Sequence, residues 1–249
     1  MTSSGSMDPA GRTALVTGGA VRVGRAISLA LARAGSKVVV HYHHSSAEVT
    51  ELVDSIRAEG GHAHAVQADL GSMDGVRALV RGVAEPFGSI EILVNNASIF
   101  PGAGFLDVDE ALWERTVAIN LRAPFFLTQA LGREMKRRGS GVVVNLGDLA
   151  GMQAWTGYAA HSVSKAGLLH LTRVAARALA PEVRVAAIAP GAVLPPADTS
   201  ATEMQALVKR APLGRIGSPD DVVDALLYLV RSNFVTGEVI VVDGGRMLQ

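Results

Sequence analysis

A glycine-rich stretch near the start of the chain has the composition of a phosphate-binding turn. It reads TGGAVRVG over Thr17–Gly24 and lies between a short apolar run and a helical pattern. Glycines permit a tight turn and close approach of the backbone, and the amino end of a helix offers free N–H groups to an anion. A turn of this kind is also an ordinary strand-to-helix connection, but the flanking pattern predicts a dinucleotide site that includes Gly18, Arg22, Val23 and Gly24.

The end of the second apolar run bears on which dinucleotide would bind. It reads His41-Tyr42-His43-His44-Ser45. At this position, NAD enzymes with a glycine-rich dinucleotide turn commonly have a carboxylate that binds the adenosine ribose. This segment contains no acid, so nothing in it would repel a 2′-phosphate. Hydrogen-bond donors or positive charge are available from Arg22, His43, His44 and Ser45, so the sequence favours NADPH. The alternatives are a solvated strand end or a metal-like cluster. Because no carboxylate nearby in sequence would complete a zinc site with His41 and His43, we expect no metal.

Two further strand ends carry residues that suit a ligand. Asp69 and Leu70 follow the third run, where they would border an adenine, and Asn95-Asn96-Ala97 follows the fourth. Asp and Asn also cap helices and form turns. Their shared position at strand ends favours a cofactor role for Asp69, Leu70, Asn96 and Ala97.

These residues need a scaffold, and the chain alternates short β-rich runs with helical spacing throughout. Most runs are continuously apolar, as strands covered on both faces should be. The alternation predicts a doubly wound Rossmann fold, an α/β domain with a seven-stranded parallel sheet. The segment 190–201, rich in proline, is a candidate lid. The runs are Ala14–Thr17, Lys37–Val40, Ala63–Val66, Glu91–Val94, Val142–Asn145, Val183–Ile188 and Glu238–Val242.

Composition narrows the function. The chain has 249 residues, a formal net charge of zero and no cysteine, which argues against nucleic-acid or membrane partners and excludes disulfides and thiolate chemistry. With no signal-like or membrane-spanning run, we expect a cytoplasmic protein. Residues 1–10 are predicted to be a disordered tail or a cloning remnant, and residues 11–249 a single domain.

Seven motifs in order resemble the short-chain dehydrogenase/reductase family across essentially the whole chain. They are the glycine-rich turn, Asn95-Asn96-Ala97, Asn120 in a helix, Asp148 after a strand, Lys165, Pro190-Gly191 and Val242-Asp243-Gly244-Gly245. The resemblance implies that Lys165 holds the cofactor ribose and that Pro190 and Gly191 border the cofactor. It also implies that Asn120 anchors a water chain from Lys165, the alternative being that Asn120 satisfies backbone groups at a helix irregularity.

Within this family the chain is most similar to the pteridine reductases and dihydromonapterin reductases. Those enzymes carry arginine at the position of Arg22, extend the Asn-Asn-Ala motif to a serine and an aromatic, here Ser98 and Phe100, and have Asp at the position of Asp148. The resemblance implies NADPH-dependent reduction of a pterin stacked between Phe100 and the nicotinamide. Ser98 and Arg22 would contact the pterin, and Asp148 would bind it or orient a proton path.

The pattern breaks at the proton donor. The family normally has a tyrosine four residues before the lysine, and here that residue is His161. Imidazole titrates near neutrality, so it is a candidate proton donor. The positive charge of Lys165 favours the neutral ring, whereas the negative charge of Asp148 favours the protonated ring. The ring also reaches less far than a phenol, and a water molecule would bridge the remaining distance to the substrate. Tyr158, one turn earlier, is the second candidate donor, although related enzymes often carry a tyrosine there too, which suggests packing. An engineered substitution or a natural loss of activity also stays open.

Two rival functions follow from the same residues. One is an NADPH-dependent carbonyl or acyl-carrier reductase, and the other is a catalytically silent NADPH-binding protein. The resemblance further implies a homotetramer, for which the apolar helices around Phe125 and Leu171 are candidate packing surfaces.

Overall fold

Seven parallel strands form one sheet in the computed structural model, which describes residues 7–195 and 199–248. The strands are β1 Thr13–Val16, β2 Lys37–Tyr42, β3 His62–Gln67, β4 Ile92–Asn95, β5 Gly141–Leu146, β6 Val183–Pro190 and β7 Val239–Val242. The helices are α1 Arg22–Arg33, α2 Ser46–Ala58, α3 Met73–Gly82, α4 Glu110–Val117, α5 Ala123–Arg138, α6 Ala159–Leu179, α7 Ala201–Lys209 and α8 Pro219–Arg231. The sheet order is β3-β2-β1-β4-β5-β6-β7.

Both faces of the sheet are covered, which explains the continuously apolar strands. In β1, Ala14 and Val16 pack into the core on one face, and Leu15 packs into the core on the other. Each observed strand lies within two residues of its predicted run. The predicted doubly wound Rossmann fold with a seven-stranded parallel sheet is therefore confirmed.

Helix α7 is a helix that the sequence pattern did not predict. Helix α7 begins with a capping box between Ser200 and Glu203 and buries none of its residues. A helix without a buried face lacks the apolar stripe by which helical spacing is recognised. The predicted lid, 190–201, ends where α7 begins; residues 196–198 of it lie outside the described residues, while Val193 pairs with Gly217 in an isolated bridge.

The order in which strands are added to the sheet reverses between β1 and β4, although all the strands run parallel. Strands β1, β2 and β3 extend to one side and β4 to β7 to the other, so the carboxyl ends of β1 and β4 flank a crevice. Ligands of open α/β sheets bind at this switch point. The topology thus brings the glycine-rich turn after β1 next to the Asn-Asn-Ala segment after β4.

A buried polar network fixes the helices that carry the site. The Asn95 side-chain amide donates to Thr128 Oγ1 at 3.1 Å and to Asn145 Oδ1 at 2.8 Å, and the Asn145 amide donates to Thr172 Oγ1 at 2.9 Å. These bonds join β4 and β5 to α5 and α6. Buried polar groups with good partners specify one arrangement, so α6 is held in a defined register over the strand ends.

Two sequence expectations concern the start of the chain and the surface for assembly. Met7 and Pro9 are buried, and the Pro9 carbonyl accepts a 2.9 Å bond from Ser36 Oγ, so Met7 and Pro9 pack on the domain that was predicted to begin at residue 11; residues 1–6 lie outside the described residues. The helix around Leu171 buries Leu171 itself but exposes Val174, and Phe125 on α5 is exposed, so both helices stay candidate packing surfaces. In the described ranges no helix is both long and apolar enough to cross a membrane.

Candidate active site

A cleft of about 500 Å³ opens at the switch point of the sheet. It brings together residues from five of the seven motifs; Asn120 lies behind its wall, almost fully buried, and the Val242–Gly245 motif lines a separate cavity. The predicted site residues that line it are Gly18, Arg22, Val23, Gly24, His43, His44, Ser45, Asp69, Leu70, Asn96, Ala97, Ser98, Phe100, Asp148, His161, Lys165, Pro190 and Gly191.

The glycine-rich turn has the backbone shape that its composition predicts. Gly18 has φ of 59°, and a Cβ on Gly24 would lie 2.2 Å from the Gly18 carbonyl oxygen, so only glycine fits there. Arg22 adopts φ of 52°, a conformation that costs a non-glycine residue about 1 kcal/mol. Its guanidinium donates to the Leu194 carbonyl, which fastens the turn to the segment after β6.

The amino end of α1 points its free groups into the cleft. The N-cap residue is Val21, which offers no side-chain acceptor, so the first N–H groups of the helix keep their donors for a ligand. A helix amino end of this kind suits the phosphates of a dinucleotide. The turn and the cap together fit that cofactor.

Thr17 and Asn96 lock the turn to the neighbouring strand. Thr17 Oγ1 accepts from the backbone N–H groups of Asn96 and Ala97, at 2.9 and 3.0 Å. The Asn96 amide donates in return to the carbonyls of Thr17 and Gly18. The Asn96 side chain therefore holds the backbone of the glycine-rich turn, which agrees with its predicted place after β4. Thr17 shares this role, although no sequence pattern marked it.

His41 is part of this scaffold rather than of a solvated strand end or a metal cluster. Its Nδ1 accepts from the Gly18 N–H at 3.0 Å, and its Nε2 lies 3.1 Å from the Ala68 carbonyl, to which it donates. Burial lowers the pKa of His41 to about 4, against smaller effects of neighbouring groups. The ring is thus neutral, with both nitrogens engaged.

The end of β2 presents two exposed imidazoles where the family often has an acid. The rings of His43 and His44 lie 3.7 Å apart, and His43 Nδ1 is 3.9 Å from Asp69 Oδ1. Leu70, although it touches the cleft, has its side chain in the core. In the part of the chain that the structure describes, no three His, Asp or Glu side chains are grouped to hold a metal ion.

His161 is buried with one nitrogen satisfied and one free. Its Nδ1 lies 3.0 Å from the Ile99 carbonyl, while the hydrogens of the Asn120 amide go to Ile99 O and Ser164 Oγ. A carbonyl only accepts, so Nδ1 carries the proton in the neutral ring. His161 Nε2 has no hydrogen-bond partner among the described residues and lies 3.6 Å from Asp148 Oδ2.

Asp148 and Lys165 complete the polar end of the cleft. Asp148 Oδ1 accepts the Ala150 N–H at 2.7 Å, which leaves Oδ2 turned toward His161. Lys165 is only 4% exposed, and its Nζ donates to the Leu146 carbonyl at 2.7 Å. Burial lowers the pKa of Lys165 to about 8, although the Asp148 charge opposes this.

Asn120 lies at a π-helical turn, Ala118–Arg122, between α4 and α5. Its Oδ1 accepts from the Ile99 N–H at 2.9 Å and from Ser98 Oγ at 3.1 Å. With its amide hydrogens also taken by protein atoms, the side chain holds the 98–99 segment against α6. These contacts give Asn120 a positioning role for that segment, and the water chain from Lys165 stays a prediction.

Phe100 forms the aromatic wall of the cleft. One face stacks on Tyr158, with ring centroids 4.2 Å apart and planes 19° apart, and His161 meets the ring at 87°. Phe100 is half-exposed, so its remaining face is open to a flat ligand. Tyr158, the second candidate proton donor, uses its ring for this stack.

Sequence reasoning overlooked several lining residues. Arg115 and Ile119 lie one turn apart on the α4 side of the cleft, and Ile99 contributes its backbone to His161 and Asn120. The four-residue spacing of Arg115 and Ile119 was a signal that they share a helix face. No pattern marks a backbone carbonyl such as that of Ile99.

The sequence is similar to a known protein family and to characterised reductases and dehydrogenases. The family model described as enoyl-(acyl carrier protein) reductase matches residues 19–246. A 3-oxoacyl-[acyl-carrier-protein] reductase of Synechocystis sp. is 35% identical over 95% of this chain and 97% of its own. An L-rhamnose 1-dehydrogenase (NAD(P)(+)) of Azotobacter vinelandii is 36% identical over 94% of this chain and 96% of its own.

Among solved structures, the FolM alternative dihydrofolate reductase 1 of Brucella canis, complexed with NADP, superposes with a TM-score of 0.92. It is 35% identical, and the match covers 98% of this chain and 97% of that one. The predicted membership of the short-chain dehydrogenase/reductase family and the use of a nicotinamide dinucleotide are confirmed, whereas the finer likeness to pteridine reductases stays a prediction. The chain belongs to the short-chain dehydrogenase/reductase family of NAD(P)-dependent oxidoreductases.

Proposed function

We propose that the protein reduces the C=N bond of a pterin with NADPH. The observation that carries the proposal is that Arg22, Ser98 and the open face of Phe100 line one cleft with His161 and Lys165. A flat heteroaromatic ring gains from stacking and needs a few fixed polar contacts. The likeness to FolM alternative dihydrofolate reductases, solved with NADP, supports the same substrate class.

The cofactor residues fit the phosphorylated dinucleotide. The first turn and the amino end of α1 would hold the pyrophosphate, and Lys165 would hold the ribose next to the nicotinamide. At the adenosine end, the exposed His43 and His44 present imidazoles where a carboxylate would repel a 2′-phosphate. NADPH, when bound, supplies the hydride for the carbon of the C=N bond.

The nitrogen of that bond must then gain a proton, and the pair formed by His161 and Asp148 would hold it. His161 Nε2 and Asp148 Oδ2 lie 3.6 Å apart, so a proton on either group, or a bridging water, would connect them. Asp148 is the more exposed of the two side chains, so it would deliver the proton to the substrate nitrogen, with His161 behind it. The pair takes the place of the phenol that the family normally uses.

Stopped-flow or steady-state NADPH oxidation with 7,8-dihydrobiopterin and 7,8-dihydrofolate tests this proposal. We expect His161→Phe to lower kcat by about 100-fold or more, with the NADPH Kd within about 3-fold of the original value. His170→Phe is the matched control because His170 is an exposed histidine on the same helix. If neither the protein nor a His161→Tyr variant turns over a pterin, the assignment is wrong.

A carbonyl or acyl-carrier reductase is the second candidate, favoured by the 35% identity to a 3-oxoacyl-[acyl-carrier-protein] reductase over nearly the whole chain. The chemistry differs only in the acceptor atom, since an oxygen rather than a nitrogen takes the proton. Turnover of acetoacetyl thioesters without pterin reduction would select it. Tight NADPH binding without turnover of either substrate class would instead support a silent cofactor-binding protein.

We also propose a cytoplasmic homotetramer, for which the exposed Phe125 on α5 supports one contact surface. Light scattering of the protein at micromolar concentration measures the assembly directly. A monomer would contradict it.

A further inference from the structure

A row of aromatic side chains leads from the reacting end of the cleft to an arginine near the end of the chain. Phe100 stacks on Tyr158, and the Tyr158 ring lies 6.4 Å from that of Trp155. The Arg246 guanidinium carbon lies over the Trp155 ring, 5.1 Å from its centroid. The Trp155 indole is itself fixed, because its N–H donates to the Gln153 side chain at 3.0 Å.

The Arg246 guanidinium has donors to spare. Within residues 7–195 and 199–248 it has no hydrogen-bond or ion-pair partner. The carboxylate of Asp243 accepts from the backbone N–H groups of Gly245 and Met247, and Asp148 Oδ1 accepts from that of Ala150. A half-buried guanidinium without an acceptor is a ready partner for an incoming anion.

The charges around Arg246 also favour the binding of an anion. Burial and then the like charge of Arg210 lower the pKa of Arg246, while Asp148 and Asp243 raise it. Arg246 is therefore within electrostatic reach of the reacting end of the cleft and of a second arginine. An anion between the two guanidinium groups would relieve their repulsion.

There is also room next to this arginine. Arg246 lines a second cavity of about 290 Å³, whose walls include Leu207, Ala211 and Leu213. Ala192 lines this cavity and the neighbouring Gly191 lines the cleft, so both spaces border the segment after β6. A substrate tail that followed the aromatic row from Phe100 to Arg246 would end next to this cavity.

We propose that Arg246, held on Trp155, is a specificity-determining residue that binds a carboxylate at the far end of the pterin substrate. The inference rests on the proposed function and narrows it to pterins with an acidic tail, such as the benzoylglutamate of a folate, over pterins with a neutral polyol side chain. Arg246 does not touch the reacting atoms. Its effect belongs in substrate binding rather than in the chemical step.

Steady-state kinetics with two substrates separate the tail from the ring. We expect kcat/KM for 7,8-dihydrofolate to fall about 10-fold or more in Arg246→Gln, mainly through KM, as the loss of a charge-assisted bond implies. The value for 7,8-dihydrobiopterin should stay within about 3-fold, and Arg246→Lys should restore part of the dihydrofolate value. Arg231→Gln, an exposed arginine at the end of α8, is the control and should change neither.

Binding of the tail alone gives a readout that does not need turnover. The chain has two tryptophans, so Trp113→Phe leaves Trp155 as the only indole fluorophore. In that background p-aminobenzoylglutamate should change the Trp155 emission saturably, and Arg246→Gln should weaken the binding about 10-fold or more.

The outcomes distinguish the two proposals. Turnover of both pterins with equal losses in Arg246→Gln, or with no loss, overturns the role of Arg246 and leaves pterin reduction standing. No turnover of either pterin removes the proposed function and this inference with it. Selective loss for dihydrofolate together with weaker tail binding supports both.

Discussion

Acid should destabilise this protein through one buried histidine. His41 accepts the Gly18 N–H and donates to the Ala68 carbonyl, so the neutral ring is built into the cofactor turn. A second proton on this ring would leave the Gly18 N–H facing another donor. Since the unfolded chain has no such restriction, protonation favours unfolding.

The size of the effect follows from the pKa values. Burial lowers the pKa of His41 from 6.5 to about 4. The resulting stability is fully present above pH 6.5 and is lost as the pH falls from 6.5 toward 4, because only the unfolded state binds the proton in that window. At 1.36 kcal/mol for each pKa unit, the loss is about 3 kcal/mol of unfolding free energy.

Urea unfolding of the protein and of His41→Gln at a series of pH values between 7 and 4 measures this loss. Glutamine can accept and donate but does not titrate, so subtracting the two profiles removes the contribution of the carboxyl groups. We expect the stability difference to shift by about 3 kcal/mol in favour of the variant toward pH 4. His64→Gln, an exposed histidine on β3, is the control, and parallel profiles for the protein and His41→Gln would refute the reasoning.

Further predictions concern the turn and the lysine. Gly24→Ala should cost about 1–3 kcal/mol of stability and weaken NADPH binding about 10-fold or more, because the new Cβ would meet the turn carbonyl at 2.2 Å; calorimetry measures both. Gly82→Ala, whose Cβ would lie 3.7 Å from its nearest neighbour, should be neutral or slightly stabilising. Lys165→Met should abolish activity but raise stability at pH 7 by about 1–3 kcal/mol, because the charged ammonium is buried at a cost. Since the pKa of Lys165 is about 8 in the fold and 10.5 when unperturbed, this gain should shrink as the pH rises from 8 to 10.5, which denaturation at pH 7, 9 and 10 would show.

Patterns of neighbouring residues were sufficient to predict the architecture of the sheet. Continuously apolar runs mark strands covered on both faces, and glycines where no Cβ fits mark the turn, so the sheet and the position of Gly24 were predictable. The family resemblance likewise implied that Asp148, His161 and Lys165 would meet, and they line one cleft. What these predictions share is that they depend on residues close in sequence or on strand order.

The sequence by itself determined the fold class, the cofactor turn and the break in the family pattern at His161. Only the tertiary structure decided that His41 supports the turn, that Nε2 of His161 faces Asp148, and that Arg246 lies on Trp155. The physical reason is that periodicity encodes which face of an element is buried. It does not encode which atom, from a segment far along the chain, satisfies a given donor or charge.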